Sequence, residues 1–287
     1  MNYSLIENGV ILHNIKCFNL DLSCDCGQAF RWKHVEGEGW HGVIGARSAL
    51  LRQEGSDIMI KPCSKEDIPF WRYYLDLDRD YEAIENMVAS DPVLGVCMEK
   101  ASGIRLFNQP PFEALISFII SANNNIKRIS GIIARLCELC GEKLSDGAYA
   151  FPTPEAIADL TVEQLSAIGA GYRSPYIIDT ARRIADGYDL LALKDMPLFD
   201  ARKELLSFKG VGLKVADCVL LFSLGHFNAF PMDVWMNRAM DELYFGGKRP
   251  DKKQLEQAIN ALGEYSGIVQ QYIFHYARMT KLGVAKK

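Results

Sequence analysis

The chain has 287 residues, 49% hydrophobic and 24% charged, so it can bury an ordinary core and is not a disordered segment. Its net charge of −4 argues against a uniformly basic nucleic-acid-binding surface. No apolar run reaches about 18 residues and no charged-then-apolar leader opens the chain. Neither membrane attachment nor export is expected, and the expected location is the cytoplasm, at the nucleoid if the source is bacterial.

Residues 1–103 mix alternating patterns, GWHGVIGARSALLRQ and SDIMIKP, with glycine turns, and predict an antiparallel sheet joined to short helices. Within this β-rich part lies Cys26-Gly27-Gln28-Ala29-Phe30-Arg31-Trp32, where Gly27 alone reads as a bulge inside a strand. Asp76-Leu77-Asp78-Arg79-Asp80 opens like a calcium loop but lacks its glycine and closing glutamate, so it reads as an acidic helix start. From residue 104 to 287 helical patterns follow closely, punctuated by Pro110-Pro111, Pro152-Thr153-Pro154, Gly169-Ala170-Gly171 and Gly210-Val211-Gly212. An α+β protein is expected, with an N-terminal antiparallel β-sheet domain (1–103) packed on a two-lobed helical domain (104–287). The eight cysteines have no framework of spacings and read as reduced thiols. Cys137 and Cys140 sit in the helical pattern IARLCELCGE without a second pair, so no metal is expected there, and no cofactor is expected elsewhere.

The helical half carries the chemistry. After the apolar run FEALISFII comes Ser121-Ala122-Asn123-Asn124-Asn125-Ile126-Lys127-Arg128, whose amides compete for backbone hydrogen bonds and end the helix; alone it is a polar interhelix loop. Gly171-Tyr172-Arg173 alone is a helix end with a surface aromatic. Residues 201–207 and 213–224 read as helices around Gly210-Val211-Gly212, which alone is either only a tight connection or a helix-hairpin-helix turn whose N–H groups point outward at a helix start, where an anion such as a DNA phosphate is favoured. Lys214 and Cys218, four apart, share a face of the second helix. Lys214 is either a solvated first-turn lysine or a partly desolvated amine able to attack a sugar carbon and form a Schiff base. Asp233 precedes VWMNRAMDEL as an N-cap, a role compatible with stabilising an oxocarbenium-like sugar. Gln270 and Phe274 are also four apart on one helical face, an amide and a ring that suit a purine as well as they suit a surface glutamine beside a core phenylalanine.

GVG-x-K-VADC followed by P-x-DV resembles the helix-hairpin-helix/Gly-Pro-Asp superfamily, and within it the 8-oxoguanine DNA glycosylases; the likeness runs from Cys26 to Phe274. It implies a bifunctional enzyme in which Lys214 displaces the damaged base, the imine permits elimination of the 3′ phosphate, and Asp233 is the electrostatic partner. It assigns the Gly27 carbonyl to reading the lesion, Gln270 to its pairing edge, and Phe274 and Cys218 to its two faces. Asn123 is assigned to the vacated space in the duplex, Tyr172 to a wedge, Arg128 and Arg173 to the orphaned base, and Gly210 and Gly212 to the phosphate-binding hairpin. The implied partner is double-stranded DNA with 8-oxoguanine opposite cytosine, whose O2 and N3 accept the arginine donors, and a monomer is expected. Trp235 stands where the animal enzymes have a phosphate-contacting histidine. Two other readings stay open: a relative removing alkylated bases, which would leave Lys214 dispensable, and a noncatalytic DNA-binding module, which would need neither Lys214 nor Asp233.

Overall fold

The computed structural model describes residues 2–283. Six strands, β1 (Asn2–Ile6), β2 (Gly9–His13), β3 (Trp32–Val35), β4 (Gly39–Ile44), β5 (Arg47–Glu54) and β6 (Asp57–Lys61), form one antiparallel sheet in the order β1-β2-β6-β5-β4-β3. Alternate positions Val10 and Leu12, Ala49 and Leu51, and Ile58 and Ile60 turn to one face, which is sealed by Trp71, Tyr74, Leu75 and Phe107. Trp32 Nε1 donates to Tyr74 Oη at 2.9 Å, satisfying the indole inside this core.

A short helix, α1 (Leu20–Asp25), capped by Asn19, interrupts the sheet between β2 and β3. Three more follow the sheet: α2 (Ile68–Tyr74), α3 (Tyr81–Ser90) and α4 (Met98–Ala101). Asp80 caps α3 by accepting from the Ala83 amide, as the acidic run suggested. The remaining helices are α5 (Pro111–Ser121), α6 (Ile126–Cys140), α7 (Pro154–Ala158), α8 (Val162–Ala167), α9 (Ser174–Ala185), α10 (Leu198–Leu206), α11 (Leu213–Ser223), α12 (Val234–Phe245), α13 (Lys252–Ala261) and α14 (Ser266–Thr280). Their apolar faces, with those of α3 and α4, form a second continuous core in which α5 and α11 lie together and α14 packs on α4 and α12. No helix among the described residues is long and apolar enough to cross a membrane.

Two features correct the sequence reading. Gly27 is not inside a strand: it follows α1 with φ +88°, and six helical residues are too few to leave a periodic signal. The helix expected over 201–207 begins earlier, at Leu198, just after Pro197 fixes the chain entering its first turn.

Polar contacts bind sheet to helices. Glu113 on α5 accepts from the Gly45 amide at 2.8 Å and lies 3.6 Å from Arg31, which also donates to the carbonyls of Gly45 and Tyr149. Gln28, fully buried, donates to Ser23 and Arg105 carbonyls and accepts from the Phe107 amide.

Candidate active site

The hairpin between α10 and α11 is built on Gly210, whose φ of +79° and close approach to the Tyr176 ring leave no room for a side chain. Gly212 is the N-cap of α11 and has no side chain to satisfy the first-turn amides, which remain available to an anion. Arg202 on α10 and Asp217 on α11 brace the two helices with a 2.6 Å ion pair. Burial pushes the Asp217 carboxyl above its usual range, against the pull of Arg202. A raised folded-state pKa means that stability is lost as pH rises from the unfolded value through the folded one. Arg202→Met widens that window, so thermal unfolding should show a loss of about 2 kcal/mol at pH 8, less than a fully buried pair would cost because Arg202 is partly exposed. The loss should be smaller at pH 5; an equal loss at both values would refute the assignment.

Next to this brace, Lys214 is half-buried in the first turn of α11. Its Nζ donates to Ser121 Oγ at 3.2 Å and lies 5.1 Å from the centre of the Phe118 ring. Ser121 spends its own proton on the Phe118 carbonyl, 2.7 Å away, so its oxygen is left to accept from the amine. Cys218 is one turn along, and burial pushes its thiol up to about 11, keeping it uncharged beside Lys214. Asp233 caps α12: Oδ1 accepts from the Met236 amide at 2.8 Å, while Oδ2 has no partner among the described residues. Cap and free carboxylate oxygen thus coexist in one side chain.

From α14, Gln270 donates through Nε2 to the Pro231 carbonyl at 3.0 Å, leaving its buried Oε1 unpartnered. Phe274 lies one turn on, and a Cβ at Gly27 would fall 3.8 Å from its ring. These groups line one cleft of about 860 Å³ that also takes in Asn123, Arg128, Tyr172, Gly210, Gly212, Trp235 and Met232. Leu213 and Val234, 62% and 63% exposed, are the immediate neighbours of Lys214 and Asp233.

Three asparagines divide the work of the turn between α5 and α6. Asn124 donates to the Ile120 carbonyl and Asn125 caps α6 through the Arg128 amide. Asn123, in the left-handed region at φ 52°, is exposed and its side chain has no partner among the described residues. Tyr172, 57% exposed, donates to the Ala122 carbonyl.

Arg173 stands apart from the other expected site residues. It is 4% exposed, does not line the cleft, and donates to the carbonyls of Ala122, Asn123 and Ala170. The turn that follows α5 leaves the carbonyls of Ala122 and Asn123 pointing inward, and this buried guanidinium satisfies them. It reaches an orphaned base only by releasing that turn. Arg128, by contrast, is exposed on the rim.

Sequence reasoning missed Ser121 and Phe118 as the seat of Lys214, the Arg202–Asp217 brace, and Gln271, which lines the cleft and donates to the Cys26 carbonyl. Only the i+3 spacing from Gln271 to Phe274 hinted at the last. No group of three or more metal-ligating side chains occurs among the described residues.

The chain is similar to known proteins over most of its length. The family model described as 8-oxoguanine DNA glycosylase, N-terminal domain, matches residues 10–115, and that of the HhH-GPD superfamily base excision DNA repair proteins matches residues 116–264. A probable N-glycosylase/DNA lyase of Methanothermobacter thermautotrophicus is 31% identical over 92% of this chain and 95% of its own. The N-glycosylase/DNA lyase of Saccharomyces cerevisiae is 31% identical over 82% of this chain and 71% of its own. The 8-oxoguanine glycosylase/lyase of Clostridium acetobutylicum, solved with double-stranded DNA carrying cytosine opposite 8-oxoguanine, superimposes with a TM-score of 0.92 at 37% identity, covering 98% of this chain and all of that one.

Proposed function

We infer the reaction from one premise: the chain belongs to the HhH-GPD superfamily of base excision DNA repair proteins and, within it, to the N-glycosylase/DNA lyases. It is a bifunctional DNA glycosylase and abasic-site lyase that acts on 8-oxoguanine in duplex DNA. The observation that carries the residue assignment is the pairing, in one cleft, of an amine seated on Ser121 with an unpartnered carboxylate oxygen of Asp233.

A sugar carbon inside a duplex is out of reach of Lys214, so the nucleotide must leave the stack. Phe274 then stacks on one face of the base and Cys218 meets the other, while Gln270 Oε1 accepts from the pairing edge and the Gly27 carbonyl accepts from N7–H. Undamaged guanine has a lone pair at N7 and is repelled by the same carbonyl. Asn123 fills the gap in the duplex and Tyr172 wedges the stack. Amides at the Gly210–Gly212 hairpin hold a phosphate, and Trp235 offers its indole N–H to another.

Lys214 Nζ attacks C1′ as the glycosidic bond breaks, its electron pair leaving with the base, which takes up a proton. Asp233 Oδ2 stabilises the positive charge that develops on the sugar. Ring opening and loss of the amine protons give the Schiff base. Loss of a C2′ proton then feeds electrons toward the imine, and the C3′–O bond breaks with the 3′ phosphate as leaving group. Water finally releases Lys214.

Residues 1–103 serve as the β-rich support and 104–287 as the helical catalytic domain, and the enzyme works as a monomer because every assigned role falls within one chain. Arg128 supplies the opposite-base donor, with Arg173 joining it once the 122–123 turn opens. Single-turnover excision should therefore be faster opposite cytosine than opposite adenine by about tenfold, the discrimination of one good bidentate contact. Release of 8-oxoguanine but not guanine supports the function, and release of neither overturns it; equal rates opposite cytosine and adenine would remove Arg128 and Arg173 from base reading.

A further inference from the structure

Distinguishing a hydrogen from a lone pair at N7 demands a carbonyl that is both free and fixed, because hydrogen bonding depends steeply on distance and angle. A glycine at φ +88° provides close approach but little rigidity of its own. The surrounding turn supplies it. The Asp25 carbonyl accepts from Arg278 Nη2 at 2.8 Å, the Cys26 carbonyl from Gln271 Nε2 at 3.0 Å, and the Gln28 carbonyl from Gln109 Nε2 at 2.7 Å. Only the Gly27 carbonyl, in this run of four, has no donor among the described residues. Gln271 and Gln109 are 2% and 7% exposed, so these bonds do not compete with water.

We infer that Gln271, assisted by Arg278 and Gln109, is a positioning residue that aims the Gly27 carbonyl and so sets discrimination between oxidised and normal guanine. This rests on the assignment of the cleft to an oxidised purine. Gln271, Phe274 and Arg278 lie three and four residues apart along α14 and share a face. One rigid helix therefore fixes both the ring that stacks on the base and the turn that reads its edge. Sequence-adjacent Gln270 carries its unpartnered Oε1 from the same helix.

Gln271→Met keeps the volume and removes the donor. The test compares single-turnover 8-oxoguanine excision with strand cleavage at a preformed abasic site, which presents no base to read. The ratio of excision to abasic cleavage should fall about five- to tenfold, the worth of one net hydrogen bond. Gln109→Met, which releases the turn from its other side, should shift the ratio in the same direction. A residue that merely docks α14 would also loosen Phe274 and Gln270 and slow 8-oxoguanine and guanine alike, so the same variants are assayed on an undamaged duplex with enzyme in excess. The clamp predicts that the preference for 8-oxoguanine over guanine narrows, and an unchanged preference refutes it. If neither variant shifts the ratio, the clamp is refuted while the wild-type excision keeps the function intact; wild-type failure to excise 8-oxoguanine refutes the function and the clamp with it.

Discussion

Replacing Lys214 with glutamine should lower single-turnover release of 8-oxoguanine by on the order of 10³-fold or more, as expected when a nucleophile is removed. Glutamine keeps most of the chain length, can still donate to Ser121 Oγ and can still pack on Phe118, so the seat of the side chain survives. Affinity for the damaged duplex should stay within about tenfold of wild type, since the amine acts on C1′ rather than carrying the binding energy. Gel-resolved excision kinetics and fluorescence binding on the same preparation separate these effects. Excision near the wild-type rate would mean that water attacks the sugar, and the alkylated-base reading of the superfamily would then move ahead. Cys218 does not rescue the variant, because its thiol, pushed up to about 11, stays protonated at neutral pH.

The second large effect belongs to Asp233. Asp233→Asn retains an oxygen for the Met236 amide and is as good an N-cap as aspartate, so α12 should lose less than about 0.5 kcal/mol. Removing the charge should nevertheless cost about 10²-fold in excision, the usual magnitude for a group that stabilises transition-state charge. Asp233→Ala should add a stability loss of about 1 kcal/mol from the missing cap. The pair of variants separates capping from catalysis: if Asp233→Asn excises at the wild-type rate while Asp233→Ala is slow and less stable, the carboxylate works only through the helix.

Much of the site was legible because its signals are local. Gly210 and Gly212 mark a turn between helices, Asp233 precedes a helical pattern and caps it, and the four-residue spacings of Lys214 with Cys218 and Gln270 with Phe274 fix shared faces. The resemblance then supplied roles that spacing could not. What stayed hidden depends on contacts far apart in the chain. Ser121 and Lys214 are 93 residues apart, and Gln271 and Cys26 are 245 apart. The resemblance assigns Arg173 to the orphaned base, yet the carbonyls of Ala122 and Asn123 in the turn after α5 hold it inside. Gly27 reads as part of a strand because α1 is too short to announce itself. The net charge of −4 speaks only for the molecule as a whole: Arg128 and the first-turn amides of α11 give the cleft local partners for phosphate and base.

The most direct test of the central claim, that Lys214 is the nucleophile on an oxidised purine nucleotide, is borohydride trapping on duplex DNA with 8-oxoguanine opposite cytosine, followed by mass mapping of the adduct. A protein–DNA adduct that requires the lesion and maps to Lys214 is the predicted result. Base release with no trappable adduct, or an adduct on another residue, would contradict it.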